Sequence, residues 1–393
     1  MRKTPALPAL LVSSVLIVIA LVVPATALAQ AQTSSVTLSA SAAKITIGQA
    51  VTFSGSIDPA TAGESVEIRD AADTLVASAT TGADGSFSAD VTPSGTRAYH
   101  AAWAGVTSAE VSVRVRATID VTMSTARLFD DVVVRGTVDP ARPGRRVDVE
   151  LSLGRKVVDS QRVEMGTAGR FEATFRVMQP GRYRARASFT GADLLTARDV
   201  SSPSSTPLPS LSTGSHGVYV RLLEQRLVEL HYRLVGTDDG RYDDRTADAV
   251  VAFHKVQGMA RTFTVEASTW RALADPRVPQ PRYTWRGLHV EVDQTHQVAM
   301  IVVDGEITDI FHVSTGKPST PTHDGLFRVN RKIAGYSGHQ LYYPSYFDGN
   351  RALHGWPDVP TYPASHGCVR IPYWNAQWVY GLAPIGTRVA VYH

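Results

Sequence analysis

The stretch Ser365-His366-Gly367-Cys368-Val369-Arg370 lies near the end of this 393-residue chain and contains its one cysteine. An exported protein normally uses cysteines in pairs, as disulfides, and a single cysteine has no partner within its chain. A cysteine that only fills a core behaves as a small apolar residue and is expected among apolar neighbours. Here a glycine and several polar or charged residues flank the thiol instead. The pattern therefore favours a reactive thiolate over an inert buried cysteine.

Residues 1–29 have the pattern of a secretory signal. Arg2 and Lys3 supply the positive start, an apolar stretch follows, and Ala27-Leu28-Ala29 fits the small-x-small cleavage pattern. We expect an exported protein that acts in the cell envelope or wall; an uncleaved N-terminal anchor is the alternative, because the apolar run is long for a signal core. The formal net charge of +3 is small for this length, and the sequence has no dense Lys/Arg cluster with interleaved aromatics, so we expect no nucleic-acid partner.

A thiolate nucleophile needs a base, and the base needs a group that orients it. His354 and His366 are the nearby candidates. His366 is only two residues from Cys368, a spacing that does not easily bring an imidazole nitrogen to the sulfur, whereas a histidine on a neighbouring strand can reach it. We therefore expect His354 to be the base, with a backbone carbonyl, left accessible by Gly355, holding its other ring nitrogen.

The loop around the thiol supplies the other predicted catalytic groups. The N–H groups of Gly367 and Cys368 are candidates for an oxyanion hole, since glycine permits the required turn. Ser365 belongs to this catalytic loop, and His366 is expected to support the loop or the oxyanion site. Arg370 is expected to bind a substrate carboxylate or to brace the loop.

Zinc is the alternative reading of one cysteine with two histidines. The Cys-x-His spacing is cramped for tetrahedral ligation and a second cysteine is absent, so we expect no metal. Four of the remaining histidines of this region are expected to be structural, and two lie in loops that border the expected cleft and stay undecided. The first four are His289, His296, His312 and His393, and the other two are His323 and His339.

Two similar stretches follow the signal. The run Gly55-Ser56-Ile57-Asp58-Pro59 recurs as Gly136-Thr137-Val138-Asp139-Pro140, and both lie among short alternating apolar runs separated by Gly, Pro and Asp turns. This pattern predicts two small antiparallel β-sandwiches, residues 33–116 and 117–200, which resemble bacterial immunoglobulin-like modules. We expect a spacer or stalk; sugar or protein binding is the alternative.

Residues 201–215 are rich in Ser and Pro and are predicted to be a linker. Helical periodicity begins after them, and residues 216–275 resemble the small three-helix peptidoglycan-binding module, with a helical spacer as the alternative. The matching residues are Gly217, Leu227, Leu230, Tyr232, Gly240, Tyr242, Thr246, Ala249, Val250, Phe253, Thr269, Trp270 and Leu273. A second Pro-rich stretch, residues 275–281, leads to the last domain. Because linkers flank the helical module, we expect a fragment of residues 280–393 to retain the chemistry.

The last domain, residues 284–393, is predicted to be mainly β, with one helix after Pro372. His354-Gly355 followed by the Ser365–Arg370 stretch resembles the signature of the L,D-transpeptidase (YkuD-type) catalytic domain. Other parts of the domain resemble further segments of that family. These segments are Ser314–Pro318, Pro321–Phe327, Leu341–Phe347 and Gly386–Val389. The fold class expected for the whole chain is therefore multi-domain and mainly β: two immunoglobulin-like sandwiches, a helical module and this catalytic domain.

The resemblance implies acyl transfer on peptidoglycan stem peptides. Cys368 attacks the carbonyl of the third residue of a tetrapeptide donor and releases the terminal D-alanine, and an amine of a second stem then forms a 3→3 cross-link. The family needs no metal or organic cofactor and reacts with carbapenems. We assign Arg370 and Tyr346 to substrate binding and expect a monomer. The alternatives are protein attachment, D-amino-acid exchange or L,D-carboxypeptidase action, and a non-catalytic wall-binding protein.

Overall fold

The computed structural model describes residues 33–236 and 238–393. Strands outnumber helices over the described residues as a whole, which confirms the predicted mainly β, multi-domain fold. The predicted signal segment lies outside the described residues. No described helix has the length and apolar character needed to cross a membrane.

The chain forms two compact units. The described part of the first unit comprises residues 33–43, 50–92 and 97–113, and the second comprises residues 44–49, 93–96 and 114–393. The second unit therefore contains the second β module, the helical module and the C-terminal domain together.

The first β module contains ten short strands. They are β1 (Ser35–Val36), β2 (Ser39–Ala40), β3 (Lys44–Thr46), β4 (Val51–Asp58), β5 (Ser65–Asp70), β6 (Leu75–Thr80), β7 (Ser86–Val91), β8 (Arg97–Trp103), β9 (Val106–Thr107) and β10 (Val111–Arg116). In one sheet β4 pairs with β1, β2 and β7, and in the other β8 pairs with β5, β9 and β10 while β6 pairs with β5. Val66, Phe87 and Ala101 are among the side chains buried in this module.

The second β module repeats this arrangement. Its strands are β11 (Thr118–Met123), β12 (Asp131–Asp139), β13 (Arg146–Leu153), β14 (Lys156–Glu164), β15 (Arg170–Arg176), β16 (Arg182–Phe189), β17 (Ala197–Val200) and β18 (Ser204–Ser205). They form the sheets β11-β12-β15 and β14-β13-β16-β17, with β18 also paired to β16. Because β18 belongs to a sheet, part of the Ser/Pro stretch predicted to be a linker is hydrogen-bonded to the module.

The sequence repeat has a packing cause. Gly55 lies opposite Phe87 on neighbouring strands, and Gly136 lies opposite Phe171 in the same way. A Cβ at Gly55 would lie 2.6 Å from the Phe87 ring, and one at Gly136 would lie 2.3 Å from the Phe171 ring. Each module therefore needs a glycine at this position to admit the phenylalanine ring.

The helical module has three helices: α1 (Val218–Glu229), α2 (Asp244–Val256) and α3 (Ala267–Ala274). The start of α2 has a local cause. The side chain of Asp243 accepts hydrogen bonds from the backbone N–H groups of Arg245 and Thr246, which satisfies donors that have no partner inside the helix.

The C-terminal domain has two sheets and one helix, α4 (Tyr373–Leu382). Its strands are β19 (Leu288–Asp293), β20 (Val298–Val303), β21 (Glu306–His312), β22 (Gly325–Arg328), β23 (Arg331–Lys332), β24 (Tyr342–Asp348), β25 (Arg351–Gly355), β26 (Val369–Ile371) and β27 (Arg388–Tyr392). The sheet orders are β21-β20-β19-β27-β22 and β23-β24-β25-β26. The helix begins after Pro372, as predicted.

Strand β20 is buried on both faces. Ala299 and Ile301 contribute to the core of the C-terminal domain, whereas Val298, Met300 and Val302 contribute to a cluster that contains the apolar faces of the helical module. Successive side chains of a strand point to opposite faces, so the two sets cover opposite sides of the sheet. The helical module is therefore packed directly onto the five-stranded sheet of the C-terminal domain.

The segment after α1 also covers the edge of this sheet. The N–H of Arg233 donates to the carbonyl of Ile310 at 2.8 Å, and the N–H of Ile310 donates to the carbonyl of His231 at 2.8 Å. Ile310 lies on β21, the outermost strand, whose free backbone groups would otherwise face solvent. This contact and the shared core argue against the expectation that residues 280–393 function as an independent fragment.

Candidate active site

Strand pairing brings the predicted nucleophile and base to one face of a sheet. β25 and β26 are parallel, with His354 opposite Arg370 and Leu353 opposite Val369. Cys368 immediately precedes β26 and is therefore level with the residue two positions before His354. Since side chains two residues apart point to the same face, the thiol and the imidazole lie on the same side of this sheet.

The thiol of Cys368 is half-buried and its Sγ donates to the carbonyl of Asn350 at 3.8 Å. Burial raises the pKa of this thiol, while the Ala352 N–H and the guanidinium groups of Arg351 and Arg370 oppose the rise. The resting group is therefore a protonated thiol at neutral pH. The predicted reactive thiolate therefore requires a base that removes this proton.

His354 is held in one orientation. Its Nδ1 lies 2.9 Å from the carbonyl oxygen of Gly355, and a carbonyl only accepts, so the ring proton is on Nδ1 and Nε2 carries a free lone pair. Burial lowers the pKa of His354 to about 4, so the imidazole is neutral at pH 7. A neutral, oriented imidazole on the same sheet face as a thiol can accept its proton.

Gly355 is required by packing. A Cβ at this position would lie 2.9 Å from Ala376 on α4 and 2.9 Å from the rings of Tyr342 and Tyr373. The absence of a side chain lets the helix approach the strand that carries the imidazole.

The Ser365–Cys368 turn is closed by its own serine. The Oγ of Ser365 donates to the carbonyl of Cys368 at 2.5 Å and accepts from the N–H of Gly367 at 3.1 Å. The φ of Gly367 is +110°, a value that disfavours any residue with a Cβ. Thr322 adds a hydrogen bond from its Oγ1 to the Gly367 carbonyl at 3.0 Å.

This turn changes the predicted oxyanion hole. The Gly367 N–H donates to Ser365 Oγ and is not free for a substrate oxygen, which corrects half of the expected pair. Within the described part of the chain no acceptor is bonded to the N–H of Cys368, so this donor remains available.

The second predicted histidine, His366, contacts a lysine. Its side chain is exposed and its Nε2 lies 3.3 Å from Nζ of Lys317. Of the two histidines left undecided, His323 lies near the site. Its Nε2 is 2.9 Å from Nη2 of Arg351, and its Nδ1 is 3.0 Å from Asp348. His339 is exposed in the loop before β24.

The two predicted substrate contacts differ. The Arg370 guanidinium lies 5.1 Å from the Trp356 ring centre and acts electrostatically on the thiol. Tyr346 is 4% exposed, and the Arg331 guanidinium lies 3.9 Å from its ring centre, so this tyrosine is covered and we withdraw its substrate contact.

Arg351 is a site residue that sequence reasoning missed. A Cβ at Gly367 would lie 3.0 Å from its Nε, and its Nη1 is 3.1 Å from Asp348. Only the pairing of β25 with the cysteine turn brings Arg351 to the thiol, and sequence spacing carries no signal of it. With Arg370, it makes the surroundings of the sulfur cationic, which suits a substrate that carries carboxylates.

The described residues were also compared with the zinc alternative. Among the described residues, no three His, Cys, Asp or Glu side chains stand close enough to hold a metal ion. The four histidines expected to be structural include His312, which is buried and bonded on both ring nitrogens. The site as built offers a thiol, an imidazole base and one free backbone donor.

Comparison with known proteins agrees with both sequence resemblances. Residues 287–391 match the family model described as the YkuD L,D-transpeptidase catalytic domain, and residues 216–273 match the model of a putative peptidoglycan binding domain. No curated protein matches the chain.

Several solved structures are similar to parts of the chain. An L,D-transpeptidase from Xylanimonas cellulosilytica is 35% identical, covers 47% of this chain and 99% of its own, and has a TM-score of 0.45. An L,D-transpeptidase from Stackebrandtia nassauensis is 25% identical, covers 48% and 98%, and has a TM-score of 0.32. The catalytic domain of an E. faecium L,D-transpeptidase acylated by ertapenem is 24% identical, covers 28% and 98%, and has a TM-score of 0.24.

Proposed function

This chain belongs to the YkuD family of L,D-transpeptidases, and from that premise we propose that it forms 3→3 cross-links between peptidoglycan stem peptides through a thioester on Cys368. The observation that carries the proposal is the arrangement of the imidazole. His354 is neutral, its Nδ1 is fixed by a backbone carbonyl, and its free Nε2 is on the same sheet face as the thiol.

The first half-reaction forms the thioester. His354 Nε2 takes the proton of the Cys368 thiol as the sulfur attacks the carbonyl carbon of the third donor residue. The Cys368 N–H donates to the developing oxyanion, and Arg351 and Arg370 stabilise the negative charge that develops on sulfur as its proton leaves. The tetrahedral intermediate then collapses, and the departing D-alanine nitrogen takes the proton from His354.

The second half-reaction transfers the acyl group. The amine of the acceptor stem attacks the thioester carbon and its proton moves to His354 Nε2, so that a new amide forms. The sulfur leaves as a thiolate and is protonated by His354, which restores the resting thiol and the neutral imidazole. The thiol and the imidazole thus alternate protonation states, and no further group is consumed.

We place the reaction at the cell wall. The predicted signal segment would export the chain, and the helical module, which matches a putative peptidoglycan binding domain, would raise the local concentration of stems. The thiol is also a target for carbapenems, by analogy with the relative that ertapenem acylates.

The test is mass spectrometry of the full mature chain incubated with a disaccharide-tetrapeptide and, separately, with ertapenem. We expect a covalent ertapenem adduct and a dimer linked 3→3, and we expect Cys368→Ala to lose both while its thermal unfolding is unchanged. Release of D-alanine with tripeptide as the only product would identify an L,D-carboxypeptidase instead. Turnover in Cys368→Ala would refute the thioester mechanism.

A further inference from the structure

The loop of residues 356–364 joins the strand of the catalytic histidine to the turn of the cysteine, and side chains from elsewhere hold its backbone. The Nε2 of His312 lies 2.7 Å from the carbonyl oxygen of Val359. The Nη1 of Arg261 donates to the carbonyl of Thr361 at 2.8 Å. His312 belongs to β21 of the five-stranded sheet, whereas Arg261 belongs to the helical module. The conformation of this loop therefore depends on both.

Lys255 of α2 extends the same network to the five-stranded sheet of the C-terminal domain. Lys255 and His312 are 2% and 1% exposed. The Lys255 Nζ donates to the carbonyls of Gln297 at 2.8 Å and Val313 at 3.0 Å, and lies 2.5 Å from Nδ1 of His312. Since Nδ1 accepts from the ammonium, the ring proton of His312 is on Nε2, which is the nitrogen that donates to the loop.

The three acceptors around Nζ favour the charged form of Lys255, whereas its burial opposes that form. Burial lowers the pKa of Lys255, the Arg261 guanidinium lowers it further, and the Asp248 carboxylate opposes both. An ammonium has three N–H groups, and the site presents three acceptors. Removing the ammonium would leave buried acceptors without a donor and would release the tautomer of His312 on which its bond to the loop depends.

We propose that the helical module is part of the catalytic unit, with Lys255 and Arg261 as positioning residues that hold loop 356–364 and thereby fix Cys368 relative to His354. This inference rests on the proposed acyl-transfer function. It adds that the module sets the rate of reaction at the thiol as well as the location of the enzyme on the wall.

Two variants of the full mature chain test the inference, Arg261→Ala and Lys255→Met. Arg271→Ala, an exposed arginine on α3, is the matched surface control, and Leu227→Ala, in the buried core of the module, controls for loss of stability. Hydrogen exchange of loop 356–364 and the first-order rate of ertapenem acylation are measured. Arg261 is only half-buried, so its variant keeps the test decisive if Lys255→Met does not fold.

We expect exchange in the loop to become at least about tenfold faster in both test variants. Acylation at saturating ertapenem should fall by about 10- to 10²-fold, with an unchanged half-saturating concentration, because misplacing reacting groups affects the chemical step. Arg261→Lys, which retains a donor, should recover part of the rate. Both controls should stay near the wild-type rate.

Wild-type exchange in the loop of both test variants would overturn the proposal. So would faster loop exchange with an unchanged acylation rate, or an equal loss of rate in Leu227→Ala. If the wild-type chain forms no ertapenem adduct, the proposed function fails, and the loop exchange of Arg261→Ala still supports or overturns the role of the module in holding the loop.

Discussion

Deleting residues 1–279 should unfold the catalytic domain. The deletion removes the helices that cover the outer face of its larger sheet, and five apolar side chains of that sheet then lose their partners. They are Val298, Met300, Val302, Ile307 and Ile310. At about 1.5 kcal/mol for each side chain, the lower value for full burial, the loss comes to roughly 7.5 kcal/mol. The backbone bonds between His231, Arg233 and the edge strand add about 1 kcal/mol each.

This loss is comparable to the whole stability of a domain, which is about 5–15 kcal/mol. We therefore expect fragment 280–393 to lack a cooperative thermal transition and sharp near-ultraviolet dichroism. Fragment 206–393 retains the helical module and should melt cooperatively, so it is the matched control. Calorimetry of the two fragments side by side decides the question. Cooperative melting of fragment 280–393 within a few degrees of the longer fragment would refute the reasoning.

Three further outcomes are expected at the site. His354→Ala should slow ertapenem acylation by about 10²-fold or more, as is typical of losing a general base, whereas the exposed His366→Ala should cost less; the reverse order would reassign the base. Burial lowers the pKa of His354 to about 4, so the imidazole stays unprotonated above that pH. Stopped-flow acylation rates should therefore fall only when the pH is lowered to near 4. A fall in rate centred near pH 6.5 would contradict this. Gly367→Ala should lower the free energy of unfolding by about 1–2 kcal/mol because Gly367 has a positive φ, and it should also reduce adduct formation because the new Cβ would lie 3.0 Å from Arg351. Gly386, with a φ of +96° and open space around it, is the control, and Gly386→Ala should show only the loss of stability.

The local features of the site were accessible from sequence. The glycine after His354 suggested a carbonyl partner for the imidazole, and the ring does bond the Gly355 oxygen. The helix after Pro372 and the extent of α2 follow from capping residues and apolar spacing, which are properties of neighbouring residues.

The long-range features were not accessible. Lys255 lies in the last turn of α2, a position where a solvent-exposed cation would complement the helix dipole, yet it is buried against three acceptors of the next domain. The apolar run of β20 indicates a strand but not which partner covers its second face. Arg351 reaches the thiol through strand register, which spacing along the chain does not encode.

The covered edge of β21 has a consequence for the order in which the chain can fold. His231 and Arg233, which pair with this edge, belong to the helical module and precede β21 in the chain. They are therefore synthesised before the strand that they protect. Domains generally fold from the N-terminus during synthesis. The segment of His231 and Arg233 is thus already synthesised when β21 leaves the ribosome. The growing chain therefore need not expose the unpaired backbone N–H and C=O groups of this edge strand. A circular permutant that placed the helical module after the catalytic domain would reverse this order and expose the edge to neighbouring chains.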